Sequence, residues 1–193
     1  MKMAIVLCVF AVLGIGSALV LHFQDKTNSR YATLTKNSKT ISAVVQTEQT
    51  ASFIIKQPAA AIFSLFTAED EKKWFPNWDY INLTGRKDMR ENDVFMTLPH
   101  GHGSNNSIWI VKAYDPDQYL LKLIRVDPVD RLAFYKIKCT ELSKTNTRVE
   151  LSISYLPLSD KGEGFVMDYD EGTHSTIADH WKTLLEDYFA QRG

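Results

Sequence analysis

From Tyr80 to Leu158 apolar residues return at every second position, interrupted only by short turn-forming clusters. A spacing of two sends successive side chains to opposite faces of a strand, so this stretch must build a sheet that is dry on one face. The spacing predicts strands over 80–84, 93–98, 107–114, 119–126, 132–141 and 147–156, with an earlier one over 50–56. Asp115-Pro116-Asp117 and Asp127-Pro128-Val129-Asp130 read as turns centred on proline, and 143–146 as a polar hairpin tip. In the last strand Val149, Leu151, Ile153 and Tyr155 alternate with Arg148, Glu150, Ser152 and Ser154, which turns the second set to water.

A one-sided sheet needs a cover. Ile177, Trp181, Leu184, Leu185 and Tyr188 recur at helical spacing through Phe189 and predict a long amphipathic carboxy-terminal helix, the element with the length to serve. Gly162 and Gly164 read as a chain break before it. After the first strand, Pro58 opens a helix with the stripe Ala59, Ile62, Phe63, Leu65 and Phe66. Glu69, Asp70 and Glu71, then Lys72 and Lys73, suit the first and last turns of a second short helix that Pro76 ends. The expected architecture is α+β: a helix-grip fold with a curved antiparallel sheet of about seven strands wrapped on the last helix, and a cleft between them.

Ahead of this domain, Met3 to Leu21 is a run of 19 uncharged residues, preceded by Lys2 and followed by Asp25 and Lys26. At about 1.5 Å per residue such an apolar helix approaches the thickness of a bilayer, so it reads either as a transmembrane anchor or as a signal peptide with small residues at Gly16-Ser17-Ala18. The division is therefore 1–24 signal peptide or anchor, 25–49 polar tether, and 50–193 folded domain. Basic residues on both sides of the run compete over orientation, and the order of basic, apolar and small residues favours the extracytoplasmic side. The whole chain carries 22 basic and 23 acidic residues, which disfavours nucleic acid as a partner. Two cysteines, Cys8 and Cys139, cannot make a disulfide framework.

Several segments resemble the START/Bet v 1-like superfamily, and within it the polyketide cyclase or SRPBCC-type domains: Phe53 to Lys56 with Pro58 to Phe63, Glu71 to Trp78, Ser107 to Val111 with Tyr114-Asp115-Pro116, and Ala178 to Trp181. The resemblance covers about 50–191. It implies the helix-grip fold and a role among lipid carriers, hormone binders, aromatase/cyclases, quinone binders or chaperone activators.

Facing follows from the lysines. Lys136 and Lys138 must meet water, so Tyr135, Ile137 and Cys139 point inward; Lys112 does the same for Trp109, Val111 and Ala113, and Lys122 for Tyr119, Leu121, Leu123 and Arg125. Arg125 then either meets a polar head group in the cleft or lies at its rim with the stem buried. The candidate ligand-cavity residues are Trp74, Trp78, Thr97, Trp109, Tyr119, Arg125, Tyr135, Tyr155 and Trp181. Trp74 and Trp78 fit a lid or core packing equally. His100 and His102 lack a third metal ligand, and no metal or cofactor is expected. Asp168, Asp170 and Glu171 with His174 offer an acid/base pair, but a solvated helix start is the better reading. No nucleophile elbow, phosphate loop or dinucleotide fingerprint occurs, so no catalytic residue is assigned. The functional expectation is a binder of an apolar or amphipathic small molecule, exported or tethered at a membrane. A cyclase- or dehydratase-type enzyme and a protein-interaction module are the alternatives.

Overall fold

The computed structural model describes residues 48–99 and 106–192. The apolar segment 3–21, most of the tether, His100 and His102 lie outside these residues. Among the described residues no helix is long and apolar enough to cross a membrane.

The elements run β1 (Glu48–Ile55), α1 (Ala59–Phe63) continued by a 3-10 turn (Ser64–Phe66), α2 (Ala68–Glu71), β2 (Tyr80–Asn82), β3 (Val94–Thr97), β4 (Ser107–Asp115), β5 (Leu120–Asp127), β6 (Arg131–Ser143), β7 (Asn146–Pro157), α3 (Asp160–Asp168) and α4 (Glu171–Ala190). The seven strands form one antiparallel sheet in the order β1-β7-β6-β5-β4-β3-β2. This is the expected α+β helix-grip architecture. α4 buries His174, Ala178, Trp181 and Leu185, one side of the helix at steps of four, three and four, and lies over the dry face beside β1.

Three local expectations are corrected. Gly162 and Gly164 do not break the chain but lie inside α3, which the Ser159 side chain caps by accepting from the Gly162 amide at 3.1 Å. Gly162 is there because a Cβ would stand 1.9 Å from the Asp130 carbonyl oxygen, so α3 reaches the β5–β6 turn only through a residue without a side chain. Second, a bulge between Val111 and Ala113 resets the alternation of β4: Ala113 pairs with the outward Lys122, and Tyr114, opposite Leu121, turns inward in its place. Third, Ser152 and Ser154 face outward yet are buried, because β7 is an interior strand; Ser152 Oγ lies 2.9 Å from Thr50 Oγ1 on β1 and opposite Lys136 on β6.

Aromatic rings bind the α1–α2 segment to the grip. Trp181 stacks on Phe66 at 5.9 Å and meets Trp74 edge-on at 5.7 Å. At the opposite end Phe63 stacks on Tyr114 at 5.5 Å and contacts Tyr119 at 5.8 Å.

The two glycines of α3 make a matched pair. Gly162→Ala should destabilise by about 1 to 3 kcal/mol through overlap with the Asp130 carbonyl, whereas Gly164→Ala, with nothing within 4 Å, should be neutral or gain up to about 1 kcal/mol of helix propensity. Thermal unfolding of the two variants checks this, and equal effects would refute the close approach.

Candidate functional site

One row of the dry face holds Phe95, Trp109, Arg125, Ala133 and Tyr155, contributed by five neighbouring strands, β3 to β7. Ala133 is the smallest of them and leaves a gap into which its neighbours Arg125 and Tyr155 reach. A chamber of about 210 Å³ opens here under α3 and α4, lined by Arg125, Arg131, Tyr135, Tyr155, Tyr169 and Trp181 among others. A narrower one of about 20 Å³ lies beyond Tyr135 and Trp181, which wall both, and reaches Glu71, Trp78 and Trp109.

Arg125 does not sit at the rim: it is only 4% exposed. A guanidinium there must be neutralised locally. Asp127 accepts from its Nη2 at 2.7 Å and its Nε at 3.2 Å, and is itself held by Ser107 Oγ at 2.5 Å. Burial works against the cation, but Tyr135 and Asp127 outweigh it and Arg125 stays charged. Its Nη1 donates to the Tyr135 hydroxyl at 3.2 Å.

Beyond Tyr135 stand the Tyr155 and Tyr169 phenols, their rings edge-on with centroids 4.6 Å apart. Tyr169 Oη lies 2.5 Å from His174 Nδ1, and His174 Nε2 lies 2.9 Å from the Leu151 carbonyl. A carbonyl only accepts, so Nε2 carries the proton and Nδ1 accepts from Tyr169. Two hydrogen-bonded pairs thus line the cleft, Arg125 with Tyr135 and Tyr169 with His174, and the Tyr155 phenol lies beside both. Burial, with Tyr135 adding to it, pushes the Tyr155 and Tyr169 phenols far above their ordinary range. His174 is fully buried, and burial lowers its imidazole below the usual value against the opposing Leu151 bond. The expectation of a solvated helix start therefore holds for Asp170, which caps α4 through the Thr173 amide, and fails for His174.

Of the nine residues named from sequence, Arg125, Tyr135, Tyr155 and Trp181 meet in the larger chamber, and Trp78 and Trp109 join Tyr135 and Trp181 in the narrow one. The structure places the other three elsewhere. Trp74 is core, its indole donating to the Leu65 carbonyl at 2.8 Å; Trp78 anchors likewise on the Ala68 carbonyl at 2.8 Å, so neither is a loose lid. Thr97 is spent on the Trp109 indole at 3.0 Å. Tyr119 closes the Phe63 end of the cleft. Sequence reasoning missed Arg131, Tyr169, Glu71 and the buried His174. Arg131 was within reach, since it shares the parity of Ala133 and Tyr135. Its guanidinium lies 3.6 Å from the Phe165 ring and pairs with Asp130 at 3.1 Å.

A larger hollow, about 330 Å³, lies between α2 and the 82–93 loop. It opens to solvent and its polar groups answer one another: Arg86 pairs with Asp93 at 2.8 Å, and Tyr80, pushed up to about 12 by burial and by Glu69, donates to Glu69 at 2.9 Å. The two chambers between the sheet and the helices, with their more apolar walls, are the better site. Among the described residues no cluster of metal-ligating side chains occurs.

No protein-family model and no curated protein matches the sequence. Solved structures match the fold throughout. A START superfamily protein from Mycobacterium smegmatis is 13% identical with a TM-score of 0.58, over 76% of this chain and 99% of that one. Ara h 8.0201 is 12% identical with a TM-score of 0.57, over 76% and 99%. Norcoclaurine synthase from Thalictrum flavum, solved with dopamine and hydroxybenzaldehyde, is 12% identical with a TM-score of 0.54, over 75% and 89%. The chain has the START/Bet v 1 polyketide cyclase-like fold.

His174 sets an acid limit on this arrangement. With its value lowered by folding, the neutral ring contributes stability above about pH 6.5 that is lost as pH falls from there through the folded value. The urea midpoint of the wild type should drop between about pH 7.5 and about pH 5.5. His174→Gln should be weaker at the upper pH and flatter across the window; parallel profiles would mean that His174 is not the titrating group.

Proposed function

We propose that this chain binds an apolar or amphipathic small molecule (a lipid, quinone or polyketide-like compound) in the cleft between the sheet and α4. The carrying observation is the chamber of about 210 Å³ under α3 and α4, whose walls combine the Phe165, Tyr169 and Trp181 rings with two guanidiniums and three phenol hydroxyls. Few, fixed polar groups in an otherwise apolar hollow are what a small-molecule site requires. That proteins of this fold include one solved with a small aromatic aldehyde supports the same reading. The segment 1–24 and the tether would hold the site at a membrane or deliver it beyond the cytoplasm, next to the phase where apolar molecules accumulate.

Mass spectrometry of small molecules that co-purify with the full-length protein from native membranes tests this. A defined apolar compound should be enriched with the wild type. Tyr135→Phe should weaken its binding by at most about 1 to 2 kcal/mol, one hydrogen bond. A protein that carries nothing would overturn the proposal.

The phenols gathered beside a buried guanidinium and a neutral imidazole favour a second reading, an enzyme of the cyclase or dehydratase type that polarises a carbonyl with Tyr155. Tyr155→Phe removes that hydroxyl. An enzyme would lose far more rate than binding, and a carrier would show only a small loss of affinity.

A further inference from the structure

Glu71 is 8% exposed and lines the narrow chamber, where neither a cation nor a hydrogen-bond donor answers its carboxyl among the described residues. The nearby charges are engaged elsewhere. Lys72 pairs with Glu69 at 3.2 Å and Lys73 with Asp70 at 2.6 Å. On α4, His180 is exposed and meets the Phe75 ring edge-on at 6.4 Å. The sheet opposite offers Trp109, Leu123, Tyr135 and Ile137, while Arg125 is committed to Asp127 and Tyr135 and Arg131 to Asp130. An ionised carboxylate in such a place is very costly, so Glu71 keeps its proton and is a neutral O–H donor. A second donor is also unspent. Of the four indoles, those of Trp74, Trp78 and Trp109 are hydrogen-bonded, whereas the buried Trp181 Nε1–H has no partner among the described residues.

We infer that the narrow chamber is the polar end of the binding site, where the Glu71 carboxyl donates its O–H to a carbonyl oxygen of a neutral molecule whose one or two rings fill the larger chamber. This rests on the reading of the cleft as a small-molecule site and narrows it. About 20 Å³ admits one small group and no more. An apolar cavity of about 150 Å³ holds benzene, so about 210 Å³ suits one or two rings and not a whole acyl lipid. Neutrality follows from the lining of the narrow chamber, which holds no cation, and from Arg125, whose charge Asp127 already answers.

The test uses three two-ring probes on the full-length protein: 1-tetralone, tetralin, which has the same rings without the carbonyl, and 2-naphthoate as the anion. The ketone should bind tightest. Glu71→Leu should weaken the ketone about fivefold to tenfold and leave tetralin unchanged. Glu71→Gln, which keeps a donor, should retain the ketone preference at every pH, while the wild type loses it as alkaline pH ionises Glu71. Infrared difference spectra of the wild type alone should show a protonated-carboxyl band that shifts with the ketone and not with tetralin, so the test survives a variant that fails to fold. Equal binding of ketone and tetralin, an unmoved or absent carboxyl band, or 2-naphthoate binding tightest would each overturn the assignment of Glu71 while the cleft still bound ligand. If none of the three probes binds, the reading of the cleft itself fails.

Discussion

A cation on the dry face of a sheet has to be neutralised within reach of its own side chain, and the arrangement of this domain follows from how Arg125 is neutralised. Asp127, two residues along the same strand and beside the turn, supplies the counter-charge from the sheet's end. That leaves one guanidinium nitrogen to fix Tyr135. Across the cleft the Tyr169 hydroxyl bonds an imidazole whose other nitrogen is held by the backbone of β7. Strand, helix and the segment between them are thus joined by directional bonds across a space that apolar packing alone would have collapsed. Buried polar groups rigidify a fold when they are satisfied, as Arg125 and His174 are here.

Most of the architecture was legible because a sheet with one dry face writes its period directly into the sequence. Each place where the reading failed has a physical cause. The glycines of α3 are ordinary helix breakers by propensity, but Gly162 is demanded by contact with Asp130, which is distant in sequence and so invisible to any local pattern. The bulge at Lys112 changes parity within a strand, and parity is the signal on which facing rests. His174 sits in a polar helix start, and nothing local reveals that its ring turns onto the β7 carbonyl.

The site was half visible for the same reason. Arg125, Tyr135 and Tyr155 came from alternation, and Arg131 obeys the same rule one step earlier. Glu71 was hidden by its company: a run of five charged residues reads as a solvated helix start. Yet Ala68, Glu71, Phe75 and Trp78 recur at helical spacing, so the carboxyl shares a face with an apolar stripe. Weighing that stripe above the local charge would have placed it inside.

The extra residue at Lys112 also shapes one end of the cleft. Before it, β4 presents Trp109 and Val111 to the cleft; after it, Tyr114 comes round to stack on Phe63. A regular strand would have offered Ala113 at that position, too small to plug the gap beside α1. The bulge therefore sets an aromatic ring against α1 at this end of the cleft, where a regular strand would have left only a methyl group.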